Sequence, residues 1–496
     1  MFFTVLVGLY TSRVVINVLG VSDYGLYNVV GGILSMVSFI NTAMIVSSQR
    51  FITYELGKGE KARSNEVFCT SVNIHITIAI IIFVLAEFLG VWFLNNHINM
   101  EPNRIVAANW VFQCSLISFM MGIISVPFTS HIVAHEKMGV YAYGSIVSTT
   151  LKLIIVYLLL IINYDKLIVY AILTVIVSVT MSIFYVLYCY RKFKECRYRF
   201  YMDWQIFKAM FSFAGWSFFG NMGYSLNNQL SNIILNIFFG TTINAARGIA
   251  GTVNNIVTSF ATNFTMAMNP QITKQYSAGN ISESQRIVYE GARLSFYLMS
   301  IISIPLIINV DYVLKLWLGL VPTYSSVFLF IILMSSLLYT LSQPITVAIQ
   351  ATGKIACFQI GICIIMLSEI PIAYVILKCG GKPYDAMAVD VIISFVALVF
   401  RFIVLKKLVP SYSVRYYFLD VVLKCIVVFV LCLSVSYVIR MQFDNGFLVL
   451  IVSSLISLII SIPLIYLLGI NKMERVFVKQ KMVLVYKKVI ESLKTE

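Results

Sequence analysis

Long apolar stretches decide the fold, and residues 141–162 are a clear example: YAYGSIVSTTLKLIIVYLLLII. An α-helix needs about 20 predominantly apolar residues to cross the hydrocarbon core of a bilayer. Of the 496 residues, 60% are hydrophobic and only 11% are charged, whereas about 25% of the residues in soluble domains are charged. The mean hydropathy of +0.90 agrees. The sequence therefore predicts an all-α polytopic membrane protein with no nucleic-acid partner.

Fourteen such stretches are predicted to be transmembrane helices. Their approximate ranges are 2–19, 24–48, 67–94, 105–130, 141–162, 167–190, 207–235, 243–268, 291–308, 325–350, 356–377, 385–405, 417–439 and 447–468. The connections between them are short, so no separate soluble domain is expected.

The distribution of Lys and Arg predicts the orientation of the chain. One set of connections, taken together with the tail, holds 24 of these residues, and the opposite set holds 6. Because Lys and Arg accumulate on the cytoplasmic side, both termini are predicted to be cytoplasmic. This topology also explains most of the net charge of +15. The basic tail 469–496 is expected either to lie on the anionic inner leaflet or to be solvated.

The two halves of the sequence resemble repeats. At an offset of 217 residues, Pro127, Lys137 and Gly144 meet identical residues, and a weaker match has an offset of 220. The expected architecture is two six-helix bundles in the same orientation around a central cavity, followed by two additional helices. The predicted domains are an N-terminal bundle, a C-terminal bundle, an extra helix pair and a tail, at 1–190, 191–408, 409–468 and 469–496.

Three cations lie inside predicted spans: Arg13, Lys152 and Arg247. A charge at bilayer depth is costly, so such residues usually face a cavity or a partner. We expect all three to bind an anionic substrate in a wet, basic cavity. The alternatives are an interfacial position for Arg13, an ion pair for Lys152 and a polar helix interface for Arg247.

Other polar side chains in the spans suggest further roles. Asn228 and Asn232 lie one helical turn apart in the seventh span, and their amides suit either a hydroxyl-rich ligand or hydrogen bonds between helices. Glu87 and Glu369 are candidates for coupling to an H⁺ or Na⁺ gradient, although Glu87 equally suits an interface position near the outer face.

No catalytic, cofactor or metal site is predicted. His131 and His135 have the i, i+4 spacing of metal ligands, but the sequence indicates no third ligand, which favours a structural role. The nine cysteines lack metal-ligand or redox spacing and are interpreted as small packing residues. Neither a phosphate-binding Gly-Lys-Ser/Thr loop nor a hydrolase nucleophile elbow is present, so the chain is not expected to be an enzyme.

The first 60 residues carry a family resemblance. The segments GVSDYGLY at 20–27, SQRF at 48–51 and ELGKG at 55–59 resemble those of bacterial polysaccharide-biosynthesis flippases. These flippases belong to the multidrug/oligosaccharidyl-lipid/polysaccharide exporter superfamily.

The resemblance implies a flippase that moves an undecaprenyl-diphosphate-linked oligosaccharide from the inner to the outer leaflet by alternating access. The product would serve O-antigen, lipopolysaccharide or capsule synthesis at the bacterial inner membrane. Expected partners are this glycolipid, the bilayer, and the polysaccharide polymerase and glycosyltransferase machinery. Coupling to an ion gradient is implied as well.

Two other functions compete with this one. A multidrug exporter of the same architecture is the first, although cationic drugs should select an acidic cavity rather than a basic one. The second is a membrane polysaccharide polymerase or ligase, which would need large outer loops that this sequence does not contain.

Overall fold

A computed structural model describes most of the chain: residues 2–20, 23, 26–27, 30, 38–59, 61–97, 102–318, 321–444, 446–471 and 474–475. Within these residues the regular secondary structure is helical, and 14 long helices are present. The prediction of an all-α polytopic membrane protein with about 14 helices is confirmed. Most of the predicted tail lies outside the described residues.

The helices are numbered in chain order. The first seven are α1 (Phe2–Leu19), α2 (Ser38–Lys58), α3 (Lys61–Leu85, continued by Ala86–Gly90 and Val91–His97), α4 (Ile105–Ala134), α5 (Met138–Leu158), α6 (Lys166–Lys192) and α7 (Trp204–Phe239). The others are α8 (Thr241–Ser277), α9 (Ile281–Ile308), α10 (Ser325–Thr352), α11 (Ala356–Lys378), α12 (Pro383–Leu408), α13 (Val414–Arg440) and α14 (Phe447–Gly469).

Ten helices among the described residues are long and apolar enough to cross a membrane. Helices α7 and α8 are not among them, although they are 36 and 37 residues long. Their sequences are rich in Asn, Ser and Thr, which lowers their hydropathy. Polar helix faces of this kind are not stable against lipid, so they must face protein or a polar cavity.

The structure divides into two compact units. Unit 1 comprises Met1–Met222, Thr273–Asn280 and Gln350–Cys363. Its central helix is α4, which packs against α2, α3 and α6 through buried side chains such as Phe112 and Ile132.

Unit 2 comprises Gly223–Ile272, Ile281–Ile349 and Ile364–Glu496. Its most buried membrane helix is α9, and α13 and α14 pack on α9 and on each other. These units follow contacts rather than sequence repeats, so the predicted domain boundaries stay predictions.

Three pairs of repeat-related positions share an uncommon backbone conformation. Gly20 and Gly240 have φ values of +83° and +78°, and Gly59 and Gly279 have values of +78° and +82°. Glu136 and Gly353, which are 217 residues apart, have values of +60° and +77°. Left-handed residues terminate helices because they turn the chain away from the helix axis. The matching helix ends support the internal repeat.

All nine cysteines are free, and most of them are buried. Cys196 lies in a short turn between α6 and α7 and is almost fully buried. Burial raises the pKa of its thiol, so Cys196 stays protonated at neutral pH. This environment is typical of a packing residue rather than of a reactive thiol.

Candidate functional site

A polar cavity of about 310 Å³ lies within unit 2, among helices α7, α8, α10, α11 and α12. Its lining is rich in amides, hydroxyls and charged groups. These residues are Tyr224, Asn227, Asn228, Asn232, Arg247, Thr252, Asn254, Asn255, Ser335, Ser336, Tyr339, Glu369, Asp390 and Ser394. A larger cavity of about 560 Å³ in unit 1 is lined almost entirely by apolar side chains. Of these two cavities, the one in unit 2 holds the polar side chains.

Arg247 on α8 is held by two amides of α7. Its Nη2 donates to Asn228 Oδ1 at 2.9 Å, and its Nη1 donates to the Asn228 carbonyl at 3.1 Å and to Asn232 Oδ1. Asn228 and Asn232 are four residues apart, so one face of α7 presents both oxygens. The structure thus brings together three of the five predicted substrate-binding residues.

A neighbouring face of α7 holds Glu369 on α11. Asn227 Nδ2 donates to Glu369 Oε2 at 2.6 Å, and Ser231 Oγ donates to Oε1 at 3.3 Å. Glu369 is buried, with 5% of its surface exposed. Asn227 and Ser231 are also four residues apart. The polar residues of α7 therefore form hydrogen bonds with two charged groups, Arg247 and Glu369, from two adjacent faces of the helix.

The cavity combines one cation with two carboxylates. Asp390 on α12 is hydrogen-bonded by Ser335 and interacts electrostatically with both Glu369 and Arg247. In this cavity Arg247 therefore lies beside two acidic groups, and the basic central cavity that the sequence predicts stays a prediction.

Several polar atoms at this site have no hydrogen-bond partner among the described residues. They include Arg247 Nε, Asn227 Oδ1 and Asn254 Oδ1, which are all buried. Buried polar atoms are normally paired, so unpaired ones in a polar cavity are suited to a ligand or to water.

Small residues on α8 keep the cavity open. Gly248 and Gly251 both line it, and a Cβ atom added to either would meet no other atom within 4 Å. The space that these glycines leave is therefore available to a ligand beside the Arg247 guanidinium.

Lys152 and Glu87 are not among the described lining residues of this cavity. Lys152 is exposed on α5 and forms no hydrogen bond or ion pair with another described residue. Glu87 is half-buried in the π turn Ala86–Gly90 of α3 and likewise has no partner in the described part of the chain. The backbone of Arg13 lies in α1, but its side chain is outside what the structure describes. The roles predicted for these three residues stay predictions.

Sequence reasoning missed Asp390, although the signal was present. Asp390 is a carboxylate within the twelfth predicted span, which is the same kind of evidence that singled out Glu369. It also missed Arg401, a buried residue on α12 that donates to Ser342 Oγ at 3.1 Å and lies over the Tyr339 ring.

Two of the family-like segments near the N-terminus have structural roles in unit 1, and much of the third, GVSDYGLY, lies outside the described residues. Arg50 of SQRF donates to the carbonyls of Gln350 and Ala351 at 3.2 and 3.0 Å, which caps the C-terminal end of α10. Gly57 of ELGKG packs so closely on α8 that an added Cβ would lie 2.7 Å from Lys274 Cα.

A family model agrees with the resemblance to polysaccharide-biosynthesis proteins that the N-terminal segments show. The model described as polysaccharide biosynthesis protein matches residues 1–276, which is more than half of the chain. The chain belongs to this polysaccharide biosynthesis protein family. A second model, described as MatE, matches residues 217–375 and so includes most of the polar cavity. No curated protein matches the chain.

Solved structures share the fold of this polysaccharide biosynthesis protein. A multidrug resistance MATE family transporter of the MOP superfamily, in its outward-facing conformation, is 11% identical with a TM-score of 0.67, covering 83% of this chain and 94% of that chain. The MATE transporter ClbM in complex with Rb⁺ is 13% identical with a TM-score of 0.66, covering 84% and 93%.

A MOP superfamily transporter from Pyrococcus furiosus, described as having a binding pocket of reverse polarity, is also similar. It is 13% identical with a TM-score of 0.66, covering 83% of this chain and 93% of that chain. Together with the family models, these likenesses establish a multi-pass membrane transporter of the MOP superfamily, that is, of the multidrug/oligosaccharidyl-lipid/polysaccharide exporters.

Proposed function

We propose that the protein is a flippase for an undecaprenyl-diphosphate-linked oligosaccharide. It moves this glycolipid from the inner to the outer leaflet by alternating access, for the synthesis of a surface polysaccharide such as O-antigen or capsule. The observation that carries the proposal is a polar cavity, rich in amides and hydroxyls and anchored by Arg247, in a member of the polysaccharide biosynthesis family.

The chemistry of the cavity suits both parts of the headgroup. A guanidinium forms strong, charge-assisted hydrogen bonds with phosphate oxygens, and Arg247 Nε has no protein partner among the described residues. Amides such as Asn228 and Asn254 both donate and accept hydrogen bonds, as sugar hydroxyls require. Lys152 and Arg13 are proposed as further cations for the diphosphate during its passage.

We assign ion coupling to Glu369, with Glu87 as a second candidate. Glu369 is buried between two α7 side chains and interacts with Asp390 and Arg247. A proton or Na⁺ on this carboxylate neutralises it, which weakens its attraction for the Arg247 guanidinium and its repulsion of an anion. Cation binding at Glu369 would thereby favour diphosphate binding at Arg247.

The proposed location is the bacterial inner membrane, with both termini in the cytoplasm, as the Lys and Arg distribution predicts. The glycosyltransferases that assemble the glycolipid would supply it from the cytoplasmic side. The polysaccharide polymerase would use it on the opposite side.

The test is a leaflet-resolved assay in proteoliposomes that contain purified protein. A labelled undecaprenyl-diphosphate oligosaccharide is incorporated, and its exposure to an impermeant sugar-oxidising reagent is followed over time with and without an H⁺ or Na⁺ gradient. We expect gradient-dependent translocation above that of protein-free liposomes. Translocation no faster than in protein-free liposomes would contradict the proposal.

A multidrug exporter is the second candidate, and the two carboxylates of the cavity favour it. Glu369 and Asp390 would attract a cationic drug in the way that Arg247 attracts a diphosphate. Ethidium transport in the same proteoliposomes separates the two functions. The flippase proposal predicts no protein-dependent ethidium movement, whereas a multidrug exporter would move ethidium and leave the glycolipid in place.

A further inference from the structure

A cluster of three potential metal ligands lies in unit 1, apart from the polar cavity. One ligand atom from each of His131, His135 and Glu195 lies within 4.8 Å of the other two. The two histidines are at the C-terminal end of α4, and Glu195 lies in the short turn Lys194–Cys196 that follows α6. The sequence suggested no third ligand because Glu195 is about 60 residues away along the chain.

The histidines of this cluster have unused nitrogen atoms. His131 is fully buried, and neither of its ring nitrogens has a hydrogen-bond partner among the described residues. His135 Nε2 is also buried without a partner there. Buried polar atoms without partners are uncommon in native structures, and an unobserved ion is one of the ordinary explanations.

The surrounding structure holds the three ligands in place. The Phe193 ring stacks on His135 with 4.2 Å between ring centroids and also contacts His131, and Phe68 contacts His131 edge-on. Asn65 Nδ2 donates to the backbone carbonyl of Glu195 at 2.7 Å, which fixes the turn. The Glu195 carboxylate interacts electrostatically with His135.

We propose that His131, His135 and Glu195 bind a divalent transition-metal ion, and that Zn²⁺ is the ion that fits them best. Zn²⁺ accepts imidazole nitrogen and carboxylate oxygen at about 2.0–2.2 Å, and two histidines with one glutamate form a known three-ligand set. On a tetrahedral ion the ligand atoms would be roughly 3.4 Å apart, so the side chains need to close by about an ångström.

The metal would connect the end of α4 to the segment between α6 and α7. Neighbouring Glu136 is not part of the site, since its carboxylate accepts a hydrogen bond from Lys274 Nζ at 2.8 Å. This proposal is independent of the transported substrate.

The experiment uses the full-length protein, purified in detergent with a tag that contains no histidine. Zn²⁺ binding is measured by isothermal titration calorimetry, and Co²⁺ is used as a spectroscopic probe of the ligand set. We expect one tight Zn²⁺ site per chain and a Co²⁺ spectrum typical of nitrogen and oxygen ligands. Absence of a stoichiometric site in the wild-type protein would overturn the proposal.

Variants at the two half-buried ligands identify the site without disturbing the buried His131. Glu195→Gln and His135→Ala should each weaken Zn²⁺ binding at least tenfold, whereas the matched control Glu136→Gln should bind as the wild type does. Elution volume in size-exclusion chromatography checks that each variant is folded. A folded Glu195→Gln variant that keeps wild-type affinity would assign the Zn²⁺ to other groups and reject this site.

Discussion

At the scale of single residues, Arg247 is the expected anchor of the diphosphate. Removing a hydrogen-bonded charged partner costs about 1.5–3 kcal/mol, which corresponds to roughly 10- to 150-fold in affinity. Arg247→Ala should therefore reduce glycolipid translocation at least tenfold, and Arg247→Lys should keep part of the activity because the charge remains. Initial rates in proteoliposomes measure both.

The exposed Arg191→Ala variant is the control for Arg247→Ala. A wild-type rate in Arg247→Ala would exclude the anchor role.

Glu369 is expected to connect transport to the ion gradient. Glu369→Gln keeps the shape of the side chain but cannot release a proton or bind Na⁺ as a carboxylate does. We expect this variant to translocate glycolipid at the same slow rate with and without an imposed gradient. Asp444→Asn, which removes an exposed carboxylate between α13 and α14, should keep the response of the wild type. A full gradient response in Glu369→Gln would shift the coupling role to another residue, with Glu87 next.

The sequence predicted much of this site but not its charge balance. Arg247, Asn228, Asn232 and Glu369 stand out because polar groups inside apolar stretches are costly and therefore usually paired. Which polar groups pair with each other depends on packing among five helices, and no spacing along the chain shows it. Asp390 carried the same signal as Glu369, so the acidic half of the cavity was accessible to sequence reasoning.

At the scale of helices, α8 is expected to shape the cavity through its glycines. Gly251→Leu would place a side chain beside Arg247 at a position where an added Cβ meets no other atom within 4 Å. Because Gly is less favourable than Leu in a helix by about 1 kcal/mol, the variant should fold at least as well as the wild type. It should nevertheless block most glycolipid translocation.

Gly215→Leu is the matched control for this substitution. Gly215 lies on α7, lines the apolar cavity of unit 1 and also has open space around its Cα. We expect this variant to translocate glycolipid nearly as the wild type does. Equal rates in Gly251→Leu and Gly215→Leu would show that the polar cavity is not on the substrate path.

A buried ion pair joins α9 to the segment after α14. Arg293 Nη2 lies 2.6 Å from Glu474 Oε1, and both side chains are more than 90% buried. Breaking such a pair leaves an uncompensated charge and costs about 3–5 kcal/mol. Glu474→Ala should therefore unfold at a clearly lower temperature in a thermal-shift assay, with Glu283→Ala, which breaks a half-buried surface ion pair with Arg286, as the control. An unchanged midpoint would mean that Arg293 finds another partner.

The elements were easier to predict than their lengths. All fourteen predicted spans overlap a helix in the described residues, because apolar stretches of this length have few alternatives in a membrane. Helix α8 extends well beyond its predicted span, 243–268, because its C-terminal end is polar, and hydropathy does not distinguish a polar helix end from a loop.

At the scale of the whole molecule, alternating access requires contacts that break during transport. Gly57 of α2 packs against the last turn of α8, where an added Cβ would lie 1.9 Å from Ser277 Oγ. A Cβ at residue 57 would also lie 2.7 Å from Lys274 Cα, so Gly57→Ala should push α2 away from the end of α8. We expect this variant to translocate glycolipid clearly more slowly than the wild type, as measured by initial rates in proteoliposomes, because the state in which α2 and α8 touch is disfavoured.

Gly122→Ala is the matched control, because Gly122 lies within α4 and a Cβ added there would meet no other atom within 4 Å. This control should translocate glycolipid at the wild-type rate. A wild-type rate in Gly57→Ala would show that the close contact of α2 with α8 is not needed in the transport cycle. The prediction of alternating access would then lose its structural basis in this part of the molecule.

We expect the diphosphate-linked glycan to occupy the cavity around Arg247. Photo-crosslinking with a glycolipid that carries a photoreactive group on its first sugar, followed by mass-spectrometric mapping of the labelled peptides, locates the bound glycan. Labelling should fall within residues 224–255 and should be reduced by unlabelled glycolipid and by Arg247→Ala. Specific labelling is the part that excess unlabelled glycolipid competes away. If all specific labelling lay outside the cavity-lining residues of α7, α8, α10, α11 and α12, binding of the glycan in this cavity would be contradicted.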